Sequence, residues 1–461
     1  MKKTLLLCFL TICFAQQTLA ADLLDVYKQA LDNDTIFKAA YDTYMSSTEA
    51  IPQARSALYP QVTLSGQSGQ YLYNVYSPAN SVSPEFVANT YYGSNVWAIT
   101  ATQAIFNYQA WAKIAQAKAS VKASQATFND SAQDLILRTA KAYFDVLFAK
   151  DTLEFAEAKK RANKRQLDQA TQRFKVGLDA ITSVYEAKAA YDQSIAEVIN
   201  AKNNQQNQNE NLRKLTNHTY TSLSPLRDSR IPLVKPEPND SNQWIDTGLK
   251  QNYKLLAAKY ALEVAKENIK AISSGNWPVF SVQTFATQYH NAAPDNNFYV
   301  QAVQTQANVA LAMNFPIFQG GLVQSQTRQS QFDYRTSSEK LEQAYREVVV
   351  NSRIAFNTIT DGISKVKADK QTVSSQKNSL ESTEAQFEVG TRTMVDVTNA
   401  QQRLFEAQEQ LAQDQYNLIN SILNLKYLSG TLNVNDLELI NSWLATTRVN
   451  GIPSAANVAS K

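Results

Sequence analysis

Two very long stretches without helix-breaking residues constrain the fold of this 461-residue chain more than any other feature. Neither Gly nor Pro occurs between Gly93 and Gly177, or again from Leu178 to Ser224. A helix of roughly 65 residues is about 100 Å long, which is far longer than a globular core. Residues at steps of three and four indicate helices packed against neighbours, as in a coiled coil, a bundle or a helical wall. One such seam contains Ala132, Leu135, Thr139, Ala142, Val146, Ala149, Leu153 and Ala156, and a second contains Ile136, Ala140, Tyr143 and Leu147.

The first twenty residues have the features of a secretory signal peptide. Lys2 and Lys3 precede an apolar stretch at residues 5–15, and small residues follow around Ala20. We therefore predict a signal peptide at residues 1–20, with cleavage after Ala20. No later stretch approaches about 18 uninterrupted apolar residues, so we expect no transmembrane helix in the mature chain.

Composition argues against several classes of protein. Both cysteines, Cys8 and Cys13, lie in the predicted signal peptide, which leaves no thiol for a disulfide, a zinc site or a nucleophile. The two histidines, His218 and His290, lie in predicted loops without metal-ligand or nucleophile spacing around them. The 44 basic and 41 acidic residues nearly balance, which gives no electrostatic reason to expect a nucleic-acid partner. We expect no enzyme activity, no metal and no cofactor.

The chain repeats one plan at a long period. The segment Phe174-Lys175-Val176-Gly177 returns 213 residues later as Phe387-Glu388-Val389-Gly390. Other segments return in the same order at similar offsets, which indicates a duplication with repeats at residues 21–230 and 231–445. Gly177 and Gly390 interrupt helical runs and are predicted hairpin tips, while Gly362 could mark a local irregularity. The predicted long helices are residues 108–176 and 178–216 in the first repeat, and 320–388 and 391–429 in the second.

Each repeat also contains two predicted strands, near residues 61–76 and 94–107, and near 279–290 and 299–318. From Tyr299 to Phe315 the odd-numbered residues are largely apolar and the even-numbered ones small or polar. This alternation is typical of an outer-membrane strand with one face toward lipid and the other toward water. Four strands cannot close a barrel. Either the sheet has open edges, or several chains contribute four strands each.

The order of helices, paired strands and Val-Gly tips, given twice, resembles the outer-membrane efflux protein family over nearly all of the mature chain. The most specific segments are residues 173–182 and 389–397, with support from residues 139–147, 316–321 and 428–433. The resemblance implies a mainly α fold, in which long helical hairpins form a periplasmic α-barrel. It also implies four strands per chain of a trimeric, twelve-stranded outer-membrane β-barrel, and an equatorial belt at residues 217–247 and 430–461.

The same resemblance implies the function and the partners. Such a homotrimer sits in outer-membrane lipid as a passive exit duct for multidrug efflux and, with other pumps, type I protein secretion. A periplasmic adaptor (membrane fusion) protein joins it to an inner-membrane pump of the RND, ABC or MFS type. A filament-type coiled-coil protein, such as a flagellin-like subunit, is the alternative, because it too has long heptad helices and no cysteine. A cleaved signal peptide and a duplicated plan are unusual in such a subunit.

The resemblance also implies a periplasmic gate at the hairpin tips. Asp396 matches the family's first constriction aspartate, whereas the second falls on Asn399. Arg392 matches the family's tip arginine, but its acidic partner falls on Ser183 and the usual tyrosine on Phe387. The predicted gate therefore consists of Asp396, Asn399, Arg392, Phe387, Thr182 and Ser183. Asp179 or Glu186 could replace the missing partner of Arg392, and a ring of three Asp396 carboxylates would raise their pKa.

Small and apolar residues at the hairpin ends predict a docking surface for the adaptor, because such groups are seldom left uncovered. The predicted docking tips are Val176, Gly177, Leu178, Ala180, Val389, Gly390, Thr391 and Thr393. Ile181 and Met394 are expected to extend this surface. Packing between neighbouring tips would use the same groups.

Overall fold

A computed structural model describes residues 20–77, 86–227, 231–292 and 302–445. The predicted signal peptide up to residue 19, residues 299–301 of the fourth predicted strand and residues 446–461 of the predicted belt lie outside these ranges. The helices are α1 (Leu23–Asn33), α2 (Thr35–Thr48), α3 (Ala50–Ser56), α4 (Tyr108–Lys175), α5 (Ile181–Thr216), α6 (Ser241–Gln251), α7 (Tyr253–Ser273), α8 (Leu322–Glu388), α9 (Met394–Leu428) and α10 (Val434–Asn441). The strands are β1 (Gln61–Ser77), β2 (Phe86–Phe106), β3 (Val279–Ala292) and β4 (Ala302–Asn314).

The chain divides into two compact units, and each draws on both sequence repeats. Within the described residues, the first unit contains residues 20–41, 128–227, 231–253 and 345–445, and the second contains residues 42–77, 86–127, 254–292 and 302–344. The two repeats therefore do not correspond to the two compact units. None of the helices in the described ranges combines the length and the apolar character that a bilayer-spanning helix needs.

The second unit contains one antiparallel sheet in the order β1-β2-β3-β4. Its register aligns Val62 with Ala101, Ala101 with Thr284, and Thr284 with Val309, so these residues lie on one face. Among the described residues, β1 and β4 each pair along one edge only.

The observed strands differ from the predicted ones at their ends. β2 begins at Phe86 rather than near residue 94, because residues 86–93 pair with the outer half of β1 and Tyr92 stacks on Tyr71 with ring centroids 5.6 Å apart. β4 ends at Asn314, so Ile317 and Phe318 lie beyond the strand, contrary to the predicted bound at residue 318.

The first unit has a core built around α4. Both predicted seams of this helix are buried in its middle, and Tyr143 is fully buried with its hydroxyl donating to the carbonyl of Ser224 at 2.8 Å. Burial of a large apolar side chain contributes about 1.5–3 kcal/mol, so these seams fix the helix against its neighbours. The cluster around them includes Leu23, Val26, Leu135, Leu147, Ile419, Leu423 and Leu437.

Two local features complete this unit. Asp34, at the junction of α1 and α2, accepts hydrogen bonds from Arg138 of α4 at 2.9 Å and from the Phe37 amide at 2.7 Å.

Gly362 does not interrupt α8, contrary to the expected irregularity. A Cβ at this position would lie 3.3 Å from Leu418, so Gly362 instead allows close approach of α9.

Candidate functional site

The first hairpin tip closes with a turn that requires glycine. The amide of Gly177 donates to the carbonyl of Phe174 at 3.0 Å, and the amide of Leu178 donates to the carbonyl of Arg173 at 2.9 Å. Gly177 has a φ of 77°, in the left-handed region that other residues enter at a cost. These two bonds satisfy carbonyl groups at the end of α4 and define a Schellman motif.

The second tip repeats this turn at the equivalent residues. The amide of Gly390 donates to the carbonyl of Phe387 at 3.0 Å, and the amide of Thr391 donates to the carbonyl of Gln386 at 2.9 Å. The φ of Gly390 is 78°. The helices after the tips were predicted to start at residues 178 and 391, whereas they begin three residues later, at Ile181 and Met394.

The helices that leave the two tips start differently. Ala180 precedes α5 without a side-chain cap, whereas Thr393 precedes α9 in a complete capping box. Asp396 accepts hydrogen bonds from the amide and the hydroxyl of Thr393, at 3.0 and 2.9 Å. The Thr393 hydroxyl accepts from the Asp396 amide at 3.3 Å. The predicted gate aspartate is therefore also the residue that closes the first turn of α9.

The surroundings of Asp396 favour its ionised form in the single chain. The amide of Thr393 lowers the pKa of Asp396 most, its hydroxyl adds to this effect, and the guanidinium of Arg392, 3.9 Å away, contributes further. The predicted rise in this pKa belongs to a ring of three carboxylates and stays a prediction.

A side chain bridges each tip turn between residues six apart. In the first tip, Nε of Arg173 donates to Oδ2 of Asp179 at 2.9 Å. In the second, Nε of Arg392 donates to Oε1 of Gln386 at 3.1 Å. The two pairs occupy equivalent positions in the repeats, with the arginine on opposite sides of the turn.

The latch partner of Arg392, for which Asp179 and Glu186 were the candidates, stays a prediction. Within the single chain, Asp179 forms an ion pair with Arg173. In the described structure Arg392 binds Gln386 and Asp396 of its own hairpin. Thr182 and Asn399 are exposed, and Ser183 is half-buried with its amide donating to the carbonyl of Ala180.

Phe387 lies in a small apolar core just inside the tips. Its side chain, on α8, is only 6% exposed and packs with residues from three other helices, α4, α5 and α9: Ala170, Ala187, Met394 and Val397. The expectation that Met394 is exposed for docking is therefore wrong, because the first turn of α9 directs it into this core. The guanidinium carbon of Arg173 lies 5.0 Å from the centre of the Phe387 ring.

The predicted docking tips are exposed at both hairpins. Val176, Leu178 and Val389 are 70%, 67% and 75% exposed. Ala180, Thr391 and Thr393 are also exposed, and the space around Gly177 and Gly390 is open.

Sequence reasoning missed a buried polar network close to the tips. Gln166 of α4 donates to Gln401 of α9 at 2.5 Å, and the hydroxyl of Thr398 donates to Gln166 at 3.1 Å. These residues were indistinguishable from a solvated helix face in the sequence. Only their heptad positions could have indicated that these residues are buried, because those positions lie on a side of the helix that another helix covers.

A charged cluster lies farther from the tips, beside a cavity of about 780 Å³ between α4, α8 and α9. Asp414 accepts hydrogen bonds from Gln410 at 2.7 Å and from Lys365 at 3.0 Å. Burial raises the pKa of Asp369, and its hydrogen bond with Asp414 adds to the rise. No three His, Cys, Asp or Glu residues in the described ranges are grouped as metal ligands.

Comparison with known proteins supplies the family. The model of the family described as outer membrane efflux protein matches residues 26–218 and 244–431. The chain is 37% identical over 441 residues to the outer membrane protein TolC of Escherichia coli (strain K12), covering 94% of this chain and 87% of that protein. It is 26% identical over 427 residues to the alkaline protease secretion protein AprF of Pseudomonas aeruginosa, covering 92% of this chain and 88% of that protein.

A solved structure shows the same fold. The CmeC outer membrane channel of Campylobacter jejuni superposes with a TM-score of 0.75 at 16% sequence identity, covering 92% of this chain and 90% of that chain. The predicted fold class, with long helices and a four-stranded part, is confirmed by this likeness. With a family match over most of its length and a relative of 37% identity, the chain belongs to the outer membrane efflux protein family and is an outer-membrane protein.

Proposed function

We propose that three copies of this chain form one exit duct through the outer membrane. The observation that supports this most is the four-stranded sheet of the described residues, in which β1 and β4 each have one unpaired edge. Long unpaired edges invite association, and four strands are too few to close a barrel. Pairing β1 of each copy with β4 of the next would close a twelve-stranded barrel without free edges.

The two faces of the sheet support a lipid side and a water side. Val62, Leu64, Val309 and Leu311 are exposed large apolar residues, and the register puts them on one face. The opposite face is rich in hydroxyl and amide groups, including Thr63, Gln67, Thr100, Gln283, Gln306 and Asn308. This alternation suits a barrel that faces lipid outside and water inside.

The four strands contain no Lys, Arg, Asp or Glu within their described bounds. A wall of neutral polar groups neither attracts nor repels ions by charge. Such a duct is permissive, and we assign the choice of cargo to the pump that supplies it. Enzyme activity forms no part of this proposal.

The cargo and partners follow from the family and its relatives. The family is named for efflux, and AprF is named for the secretion of an alkaline protease. We therefore propose multidrug efflux and type I protein secretion, with a periplasmic adaptor and an inner-membrane pump of the RND, ABC or MFS type. The filament-type alternative has no support among these relatives.

We propose further that the adaptor docks on the exposed tips and that Asp396 forms the acidic ring of the closed gate. Exposed Val176, Leu178 and Val389 support docking, since apolar groups at a hairpin end are unusual unless covered. Asn399, Arg392, Phe387, Thr182 and Ser183 complete the proposed gate.

The proposed function can be tested in living cells and in planar bilayers. A strain lacking this protein should become more susceptible to drugs, dyes and bile salts, and the full-length chain should restore resistance. The purified protein should conduct ions in a planar bilayer. Unchanged susceptibility together with no conductance would contradict the proposed function.

A further inference from the structure

Arg173 contacts both hairpins at the tips. It belongs to the last turn of α4, and its own carbonyl and its side chain both bind the following turn, at Leu178 and Asp179. Its guanidinium also lies over the ring of Phe387, which belongs to the last turn of α8. One side chain thus joins the ends of α4 and α8 within a single protomer.

We propose that Arg173, fixed by Asp179 and seated on the Phe387 ring, is a clasp that holds the two hairpin tips of one protomer together and positions the closed gate. This inference rests on the proposed function, since a clasp matters only if the tips form the gate. Arg173 is a positioning residue: it acts through the tips and need not touch the cargo.

Burial makes this contact stronger than an ordinary surface pair. The side chains of Arg173 and Asp179 are only 26% and 19% exposed, so water screens their ion pair less than it would at a fully exposed site. The bond from Nε to Asp179 already fixes the guanidinium, which leaves its planar face free to cover the aromatic ring. An attraction between a cation and an aromatic ring increases when the cation is desolvated.

The position of Phe387 is itself fixed. The ring is nearly buried among residues from α4, α5, α8 and α9, so a cation held over it is held relative to all four helix ends. The clasp contact uses the face of the ring, so it does not need the hydroxyl that the family's usual tyrosine would add here.

Among the residues that the structure describes, the second hairpin makes no reciprocal contact of this kind. The equivalent bridge joins Arg392 to Gln386, and the Arg392 side chain is 54% exposed and points toward Asp396 of the same hairpin. Both tips therefore contain the same kind of local bridge, but within the described ranges only the bridge of the first tip contacts the other hairpin.

The test measures resting conductance of the purified full-length protein in planar bilayers. Arg173→Gln and Phe387→Leu should each raise the resting conductance at least about threefold, because each variant removes the attraction between the Arg173 cation and the Phe387 ring. The double variant should conduct no more than the single variants, because both remove the same contact. Lys175→Gln, which removes an exposed charge two residues away, is the matched control.

Conservative variants separate the clasp from general damage to the tip. Phe387→Tyr keeps the ring and should stay closer to the unsubstituted protein than Phe387→Leu does. If Arg173→Gln fails to assemble, Asp179→Asn carries the same test, because it releases the guanidinium without removing it.

The outcomes distinguish the two levels of the proposal. If the unsubstituted protein does not conduct, the proposed function itself fails. If it conducts but the Arg173 and Phe387 variants match the Lys175→Gln control, or if their effects simply add, the clasp is wrong and the proposed function stands.

Discussion

Replacing Val309 with arginine tests which face of the sheet meets lipid. Val309 lies near the middle of β4, is 78% exposed and shares its face with Val62, Leu64 and Leu311. An arginine on the lipid face at mid-membrane costs about 2–4 kcal/mol, so three copies in one barrel would cost about 6–12 kcal/mol. Asn308→Arg puts the same side chain on the opposite face, where water would solvate it at little cost.

A third variant, Val303→Arg, tests how deeply Val309 lies in the membrane. Val303 shares the face of Val309 but lies near the end of β4, where an arginine at the membrane interface should cost only about 0–1 kcal/mol. The assay is urea unfolding of the protein folded into lipid vesicles, supported by the amount of heat-modifiable oligomer in outer-membrane extracts.

The three variants should rank clearly. Val309→Arg should lose most of the assembled protein, Val303→Arg little, and Asn308→Arg least. Equal losses from Val309→Arg and Asn308→Arg would refute the assignment of faces. Equal losses at Val309 and Val303 would refute the placement of Val309 near the membrane midplane.

Three further predictions concern the helical part. Thr393→Ala removes the capping box of α9 and should cost about 1 kcal/mol locally, seen as faster amide exchange at Asp396 and Val397, with Thr391→Ala as control. Burial by itself would raise the pKa of the Asp34 carboxyl group, but the hydrogen bonds from Arg138 and the Phe37 amide hold that pKa below its ordinary value. The ionised carboxylate stabilises the fold at pH values above its unfolded-state pKa, and this stabilisation is lost as the pH falls through its folded-state pKa. In urea unfolding, Asp34→Asn should therefore lower the free energy of unfolding at pH 7. The variant should also lose less stability than the unsubstituted protein as the pH falls below about 4. Asp396→Ala should lower the ratio of cation to anion permeability in planar bilayers, whereas Glu388→Ala, an exposed tip carboxylate, should change it little; equal effects would remove Asp396 from the gate.

The long helices could be predicted from sequence because their determinants are local. The absence of Gly and Pro predicted a helix at residues 108–176, and α4 ends one residue earlier, at Lys175. Gly177 and Gly390 marked the tips because a left-handed residue ends a helix whatever surrounds it. The start of β2 was missed because residues 86–93 are held as a strand by pairing with β1, which is a non-local interaction.

The tip contacts show the same division between local and non-local determinants. The family pattern pointed to Arg392 as the residue that reaches the other hairpin, whereas Arg173 makes that contact. A spacing of six residues is not a helical neighbour relation, and it becomes a contact only after the Schellman turn folds the chain back. The repeat offset could have indicated that the two pairs are related, since it aligns Arg173 with Gln386 and Asp179 with Arg392.

The number of chains in the complex tests the central claim most directly. Native mass spectrometry of the full-length protein, extracted from outer membranes in mild detergent, should give one dominant species of three chains. Several chains are needed to close the barrel because the described part of each chain contributes four strands with two open edges, and three chains supply the twelve strands that we propose. A single chain, or an open-ended series of larger polymers, would contradict the account.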